Sequence, residues 1–150
     1  MLRSFLKFWV PPLAWMAVIF TASGDSQSYV HSSRYFEPLL RWLFPRLSIE
    51  HVETLHHIFR KCAHLTEYAI LALLVWRALH RVNTGLSNWS WPKVGGTLLV
   101  VFLYASSDEF HQSFVPNRTP LFGDVLIDTA GGAVGLLALW FGQKLFKRRT

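Results

Sequence analysis

Four apolar runs alternate along this chain with shorter polar stretches, at about 5–22, 62–79, 94–110 and 125–146. A membrane-crossing helix needs roughly 20 mostly apolar residues, and each run approaches that length. The first is short from Phe8 to Ala22, but Phe5 and Leu6 extend it and Lys7 can snorkel. Its basic start and the following Thr21-Ala22-Ser23-Gly24 also fit a secretory signal. The second run continues a helix that begins near Ile49, with Ser48 as N-cap and Glu50 in the first turn. The third follows Trp91-Pro92, and its helix extends through His111 to Phe114. The fourth has Asp124 at its start and Lys144, Lys147, Arg148 and Arg149 at its end. Acid at the start and base at the end suit a helix dipole.

The first connection has a pattern of its own. Phe36, Leu39, Leu40, Leu43 and Leu47 fall on one helical face, and Arg34, Glu37 and Arg41 fall on the opposite one. Such a helix either lies in the membrane interface or packs on the outer end of a bundle. The predicted fold is all-α: an integral membrane bundle of four transmembrane helices, with an amphipathic interfacial helix after the first. One domain accounts for all 150 residues.

Composition supports a membrane environment. The chain is 51% hydrophobic and only 16% charged, with seven Trp and twelve Phe. A soluble domain carries about a quarter charged residues. Trp9, Tyr68, Trp76, Trp89, Trp91, Tyr104 and Trp140 sit near run ends, as an aromatic belt requires. The net charge of +6 reads as orientation and attraction to anionic lipid, because the basic residues are scattered and no groove-reading motif is present. Membrane lipids are expected partners and nucleic acid is not. Cys62 is the lone cysteine, which excludes an intramolecular disulfide. Arg3, Lys7, Arg77, Arg81, Lys93 and the tail put both termini in the cytoplasm. Arg34, Arg41, Arg46, Arg60 and Lys61, in the first connection, are an exception to that rule.

Polar side chains crowd one set of run ends. A charge at the bilayer centre costs roughly 2.5–3.5 kcal/mol, so such groups are paired among helices and usually functional. At about 100° per residue, Arg60, Lys61, His64, Glu67 and Tyr68 form one stripe. Tyr104, Asp108, His111, Gln112 and Val115 form a second, with Glu109 pointing off it. Asp124, Asp128, Gly131 and Gly135 form a third, a small-xxx-small pattern that admits a neighbouring helix closely. With four alternating spans, all three stripes converge in one layer on the outer face. Arg118, in the link before the fourth run, is the nearest cation in sequence to Asp128.

These residues support several chemistries. The histidines and carboxylates could bind a divalent metal, though none is required, or act as general acid and base. Arg60, Lys61 and Arg118 could hold a phosphate or carboxylate. An ion-paired network that only fixes helix packing is the structural alternative. No protease, hydrolase or nucleotide-binding fingerprint is present.

The run Arg60-Lys61-x-x-His64-x-x-Glu67-Tyr68, then Asp108-Glu109-x-His111-Gln112-x-Phe114, then Arg118, Asp124, Asp128 and Gly131, resembles the VanZ-like family of bacterial integral membrane proteins. The resemblance spans about Phe8 to Leu139. It implies a helical protein of the bacterial inner membrane, in a family whose founding member is associated with lowered susceptibility to teicoplanin. Together with the stripes, it suggests a polar site on the extracytoplasmic side acting on a phosphate-bearing or lipid-linked envelope substrate. His64, Glu67, Asp108, His111 and Asp128 would carry the chemistry there. Arg60, Lys61, Gln112, Arg118 and Asp124 would bind the substrate. The alternatives are a non-catalytic binder of lipid head groups, of a lipid-linked cell-wall precursor or of a lipoglycopeptide, and a purely structural module.

Overall fold

A computed structural model of the chain describes residues 2–23, 28–80, 89–115 and 121–147. They form five helices: α1 (Leu2–Ser23), α2 (Ser28–Leu43), α3 (Ile49–His80), α4 (Trp91–Gln112) and α5 (Phe122–Lys147). The described residues contain no strand.

Local chemistry sets several boundaries. The Ser48 hydroxyl accepts the His51 N–H at 3.4 Å, so α3 starts where a side-chain cap can satisfy an orphan donor. Glu50 follows in the first turn. In α4, Pro92 occupies the first turn, where a missing N–H costs nothing. The first helix continues through Pro11 and Pro12. Proline at position 11 cannot donate to the carbonyl of Lys7, and Arg77 Nη2 of α3 donates to that carbonyl instead, at 3.4 Å.

The central helix, α3, packs against all four others. Its closest partner is α5. A Cβ at Gly131 would lie 2.5 Å from the Leu65 carbonyl oxygen, and one at Gly135 would lie 2.6 Å from that of Ala69. Glycine is therefore required at both positions for the two backbones to approach this closely, as the small-residue stripe predicted. The core joins Ile19 of α1, Tyr68, Leu71, Ala72, Val75 and Trp76 of α3, Val101 and Ala105 of α4, and Val125 and Leu136 of α5. Large apolar side chains also point outward, including Leu13 and Val18 of α1, Leu99 and Leu103 of α4, and Leu126 and Phe141 of α5. A surface this apolar suits lipid rather than water.

Three helices are long and apolar enough to cross a membrane: α1 from Arg3, α3, and α5 to Leu145. Hydropathy therefore marks three crossing helices where four were expected. The fourth candidate, 94–110, is a helix, but Lys93 at one end of α4 and Asp108, Glu109 and His111 at the other lower its mean hydropathy. The predicted amphipathic helix is present as α2, and its apolar face is divided. Phe36 stacks on Phe59 of α3 at 4.6 Å and Leu40 is buried, whereas Leu39, Trp42 and Leu43 are exposed.

Candidate functional site

Polar groups from α1, α3, α4 and α5 meet around Asp108, which is 1% exposed. The C-terminal end of α1 delivers Ser23, whose hydroxyl donates to Asp108 Oδ1 at 2.5 Å. The Tyr68 hydroxyl of α3 donates to Oδ2 at 3.4 Å. Gln112, one turn further along α4, donates its Nε2 to the same oxygen at 3.0 Å. Three donors on one carboxylate compensate its removal from water.

Asp128 of α5 is buried. It lies within electrostatic reach of Asp108, Asp124, Glu109 and Glu67. Among the described residues no donor reaches its carboxyl group. The Glu109 carboxylate is buried as well, and its Oε1 accepts the backbone N–H of Leu121 at 2.6 Å. That bond joins the end of α4 to the start of α5.

Looser pairs form the edge. His64 Nδ1 and Glu67 Oε2 are 3.7 Å apart, one turn from each other on α3 and each about one-third exposed or less. Lys61 Nζ lies 3.8 Å from Asp124 Oδ1, with both side chains well exposed. An exposed pair such as Lys61–Asp124 is worth under about 1 kcal/mol and opens readily. The first helix is fastened over this edge by two bonds to backbone oxygens. Trp15 Nε1 donates to the Glu67 carbonyl at 2.9 Å, and the Tyr104 hydroxyl donates to that of Met16 at 2.5 Å.

The structure therefore brings together Glu67, Asp108, Gln112, Asp124 and Asp128, with His64 and Lys61 at the rim. Arg60 lies closer to the start of α3, within electrostatic reach of His56. Arg118 lies outside the described residues. Two expectations for α4 are exchanged. Glu109, placed off the polar stripe by the periodicity, is buried toward α5. His111, placed on the stripe, turns toward α1 and stacks on Phe20 with ring centroids 3.9 Å apart. A stripe drawn at a fixed angle per residue leaves open how a helix is rotated against its neighbours.

Ser23 and Glu109 were missed as site residues. Ser23 lies in the Thr21-Ala22-Ser23-Gly24 stretch, whose small residues pointed to processing. Tyr68 was seen in its stripe but given no role. For Ser23 and Tyr68 the signal was contact with Asp108, which only the packing supplies.

The donor set restricts the chemistry. Among the described residues no three His, Cys, Asp or Glu side chains are grouped to hold a metal ion. The arrangement offers instead a fixed acceptor at Asp108, a buried carboxyl at Asp128, and a partly exposed His64–Glu67 pair at the edge, of the types that exchange protons in acid–base chemistry.

A family model described as VanZ/LLP1 matches residues 8–146. No curated protein and no solved structure matches the chain.

Proposed function

The chain belongs to the VanZ/LLP1 family, and from that premise and the site geometry we propose that it acts on a phosphate-bearing or lipid-linked molecule of the bacterial cell envelope. In this reading the protein sits in the inner membrane with both termini in the cytoplasm. The less apolar α4 crosses together with α1, α3 and α5, its polar groups turned onto those neighbours. The carboxylate network then lies at the extracytoplasmic end. Arg60, Lys61 and Arg118 hold the anionic group of the substrate. The His64–Glu67 pair and Asp128 handle protons, and Asp108, held by Ser23, Tyr68 and Gln112, fixes the frame around them. His111 contributes from the α1 side.

One observation carries this reading. Asp128 is buried beside other carboxylates, and among the described residues no donor reaches it. A carboxyl group removed from most of the solvent and set among other carboxylates is held there at a cost that pairing would lower, and packing alone gives no reason to leave it so. Polar groups held at a stability cost inside a membrane protein point to function.

The test compares envelope lipids and cell-wall precursors in cells carrying the wild type, Asp128→Asn or no protein. The expected result is a lipid-linked species that changes with the wild type and not with Asp128→Asn, although the variant accumulates normally in the membrane. Asp128→Asn retaining the full effect would end the catalytic reading. The loose Lys61–Asp124 pair favours a second reading, non-catalytic capture of a lipid head group or lipoglycopeptide, since both partners can turn to a ligand. Lowered teicoplanin susceptibility is a phenotype consistent with either reading and is measured in the same strains.

A further inference from the structure

A second polar feature lies between α2 and the first turns of α3. Glu53, on its lining, is roughly 20 Å along α3 from Glu67, taking the helical rise per residue. A cavity of about 50 Å³ opens there, lined by Ser33 and Glu37 of α2 and by Ile49, Val52, Glu53 and His56 of α3. It has room for one small head group or a few waters. Four of its six lining residues are polar and supply two carboxylates, a hydroxyl and the imidazole of a residue only 2% exposed.

The charges at its rim have an order. Arg41 Nε and Nη2 both donate to Glu37 Oε1, at 3.1 and 2.9 Å. One carboxylate oxygen and several guanidinium N–H groups remain for other partners. Glu53 enters no ion pair among the described residues. A site for a negative charge at Arg41 thus adjoins sites for a positive charge at Glu37 and Glu53. Ile49, on the same lining, leaves an exposed apolar side chain beside them.

We propose that this cavity binds the head group of an amine-bearing phospholipid. The ammonium enters between Glu37 and Glu53, and the phosphate two carbons away takes the free side of Arg41. A primary ammonium has three donors, which the two carboxylates and the Ser33 hydroxyl satisfy. The exposed Ile49 side chain gives the acyl chains their first apolar contact. A purely anionic lipid would bring its charge against two carboxylates with no cation to offset them. A divalent metal fits less well, because no three-ligand group is formed among the described residues.

The test uses the full chain purified in detergent. Phosphatidylethanolamine, phosphatidylglycerol, soluble phosphoethanolamine and magnesium are titrated, with retention read by native mass spectrometry and stability by thermal unfolding. Phosphatidylethanolamine should be retained and raise the unfolding midpoint, and phosphatidylglycerol should not. Glu53→Gln and Arg41→Gln, both at exposed positions, should each weaken retention about ten-fold, as loss of one charge-assisted hydrogen bond implies. The proposal is overturned by equal retention of the two lipids, or by unchanged retention in both variants. Stabilisation by magnesium alone would overturn it too. Phosphoethanolamine binding as tightly as the whole lipid would also overturn it, and would make a soluble amine the ligand.

Discussion

Two aspartates one helix apart occupy opposite situations. Asp108 has three donors and Asp128 has none among the described residues. Exchanging one carboxylate oxygen for an amide should therefore act differently on each. In Asp108→Asn an N–H₂ in the Oδ2 place meets the Gln112 Nε2 donor, and one in the Oδ1 place forces the Ser23 hydroxyl to turn to the Phe20 carbonyl and accept instead, so in either pose a bond to the carboxylate is lost. Such a loss costs about 1–3 kcal/mol, and the midpoint of thermal unfolding in detergent should fall by several degrees. Asp128→Asn strands no donor, so its midpoint should stay level or rise. The reverse ranking would mean that Asp128 is the structural member of the pair. Ser23→Ala should lower stability less than Asp108→Asn, because it removes one of three bonds.

Among the helices, the tightest fit is between α3 and α5, and it rests on two glycines. Gly135→Ala puts a methyl 2.6 Å from the Ala69 carbonyl oxygen. Backbone cannot move aside as a flexible side chain can, so the helices must separate. Overpacking of this kind costs about 1–3 kcal/mol. Gly142→Ala, where nothing lies within 4 Å, should instead be neutral or stabilising by up to about 1 kcal/mol from helix propensity. Thermal unfolding of the two variants side by side checks the contrast. Equal midpoints would show that α5 does not depend on the close approach. Much at this scale was legible in advance. The start of α3 at Ser48, the amphipathic α2 and the Gly131–Gly135 stripe all follow from local periodicity and capping. The rotation of α4 did not follow. Whether Glu109 or His111 faces inward is decided by α1 and α5, through Phe20 and the Leu121 N–H, and no window of α4 sequence contains those partners.

The whole molecule has two unlike ends. At one lie Lys7, Arg77, Lys93 and Lys144, together with an aromatic cluster in which the Trp89 ring is 5.2 Å from Trp76 and 6.3 Å from Trp140. The Lys144 ammonium sits 3.8 Å above the Trp140 ring. At the other end are Glu67, Asp108, Glu109, Asp124 and Asp128. On the orientation proposed above this end faces the cytoplasm, with Arg34, Arg41, Arg46, Arg60 and Lys61 on the opposite side as the exception to the rule. Single cysteines at positions 88 and 117, in a Cys62→Ser background, test this orientation. An impermeant thiol reagent applied to intact cells, with any outer membrane permeabilised, should label 117 and spare 88. Labelling of 88 alone would invert the molecule. The convergence of the carboxylates at one end was readable from the alternation of apolar runs. The number of runs apolar enough to cross lies in the sequence too, since Lys93, Asp108 and Glu109 lower the hydropathy of α4.

That last feature bears on how the chain is made. On the four-crossing reading, α4 is the segment least able to leave the translocation channel for lipid on its own. Ser23 and Tyr68, which receive Asp108, are synthesised before it; the Leu121 N–H and α5, which receive Glu109, come after. Ribosomal order thus has half of the reception for α4 already in place when it emerges, while the other half is still being translated. Its lateral release becomes a cooperative event, begun by α1 and α3 and completed only when α5 arrives.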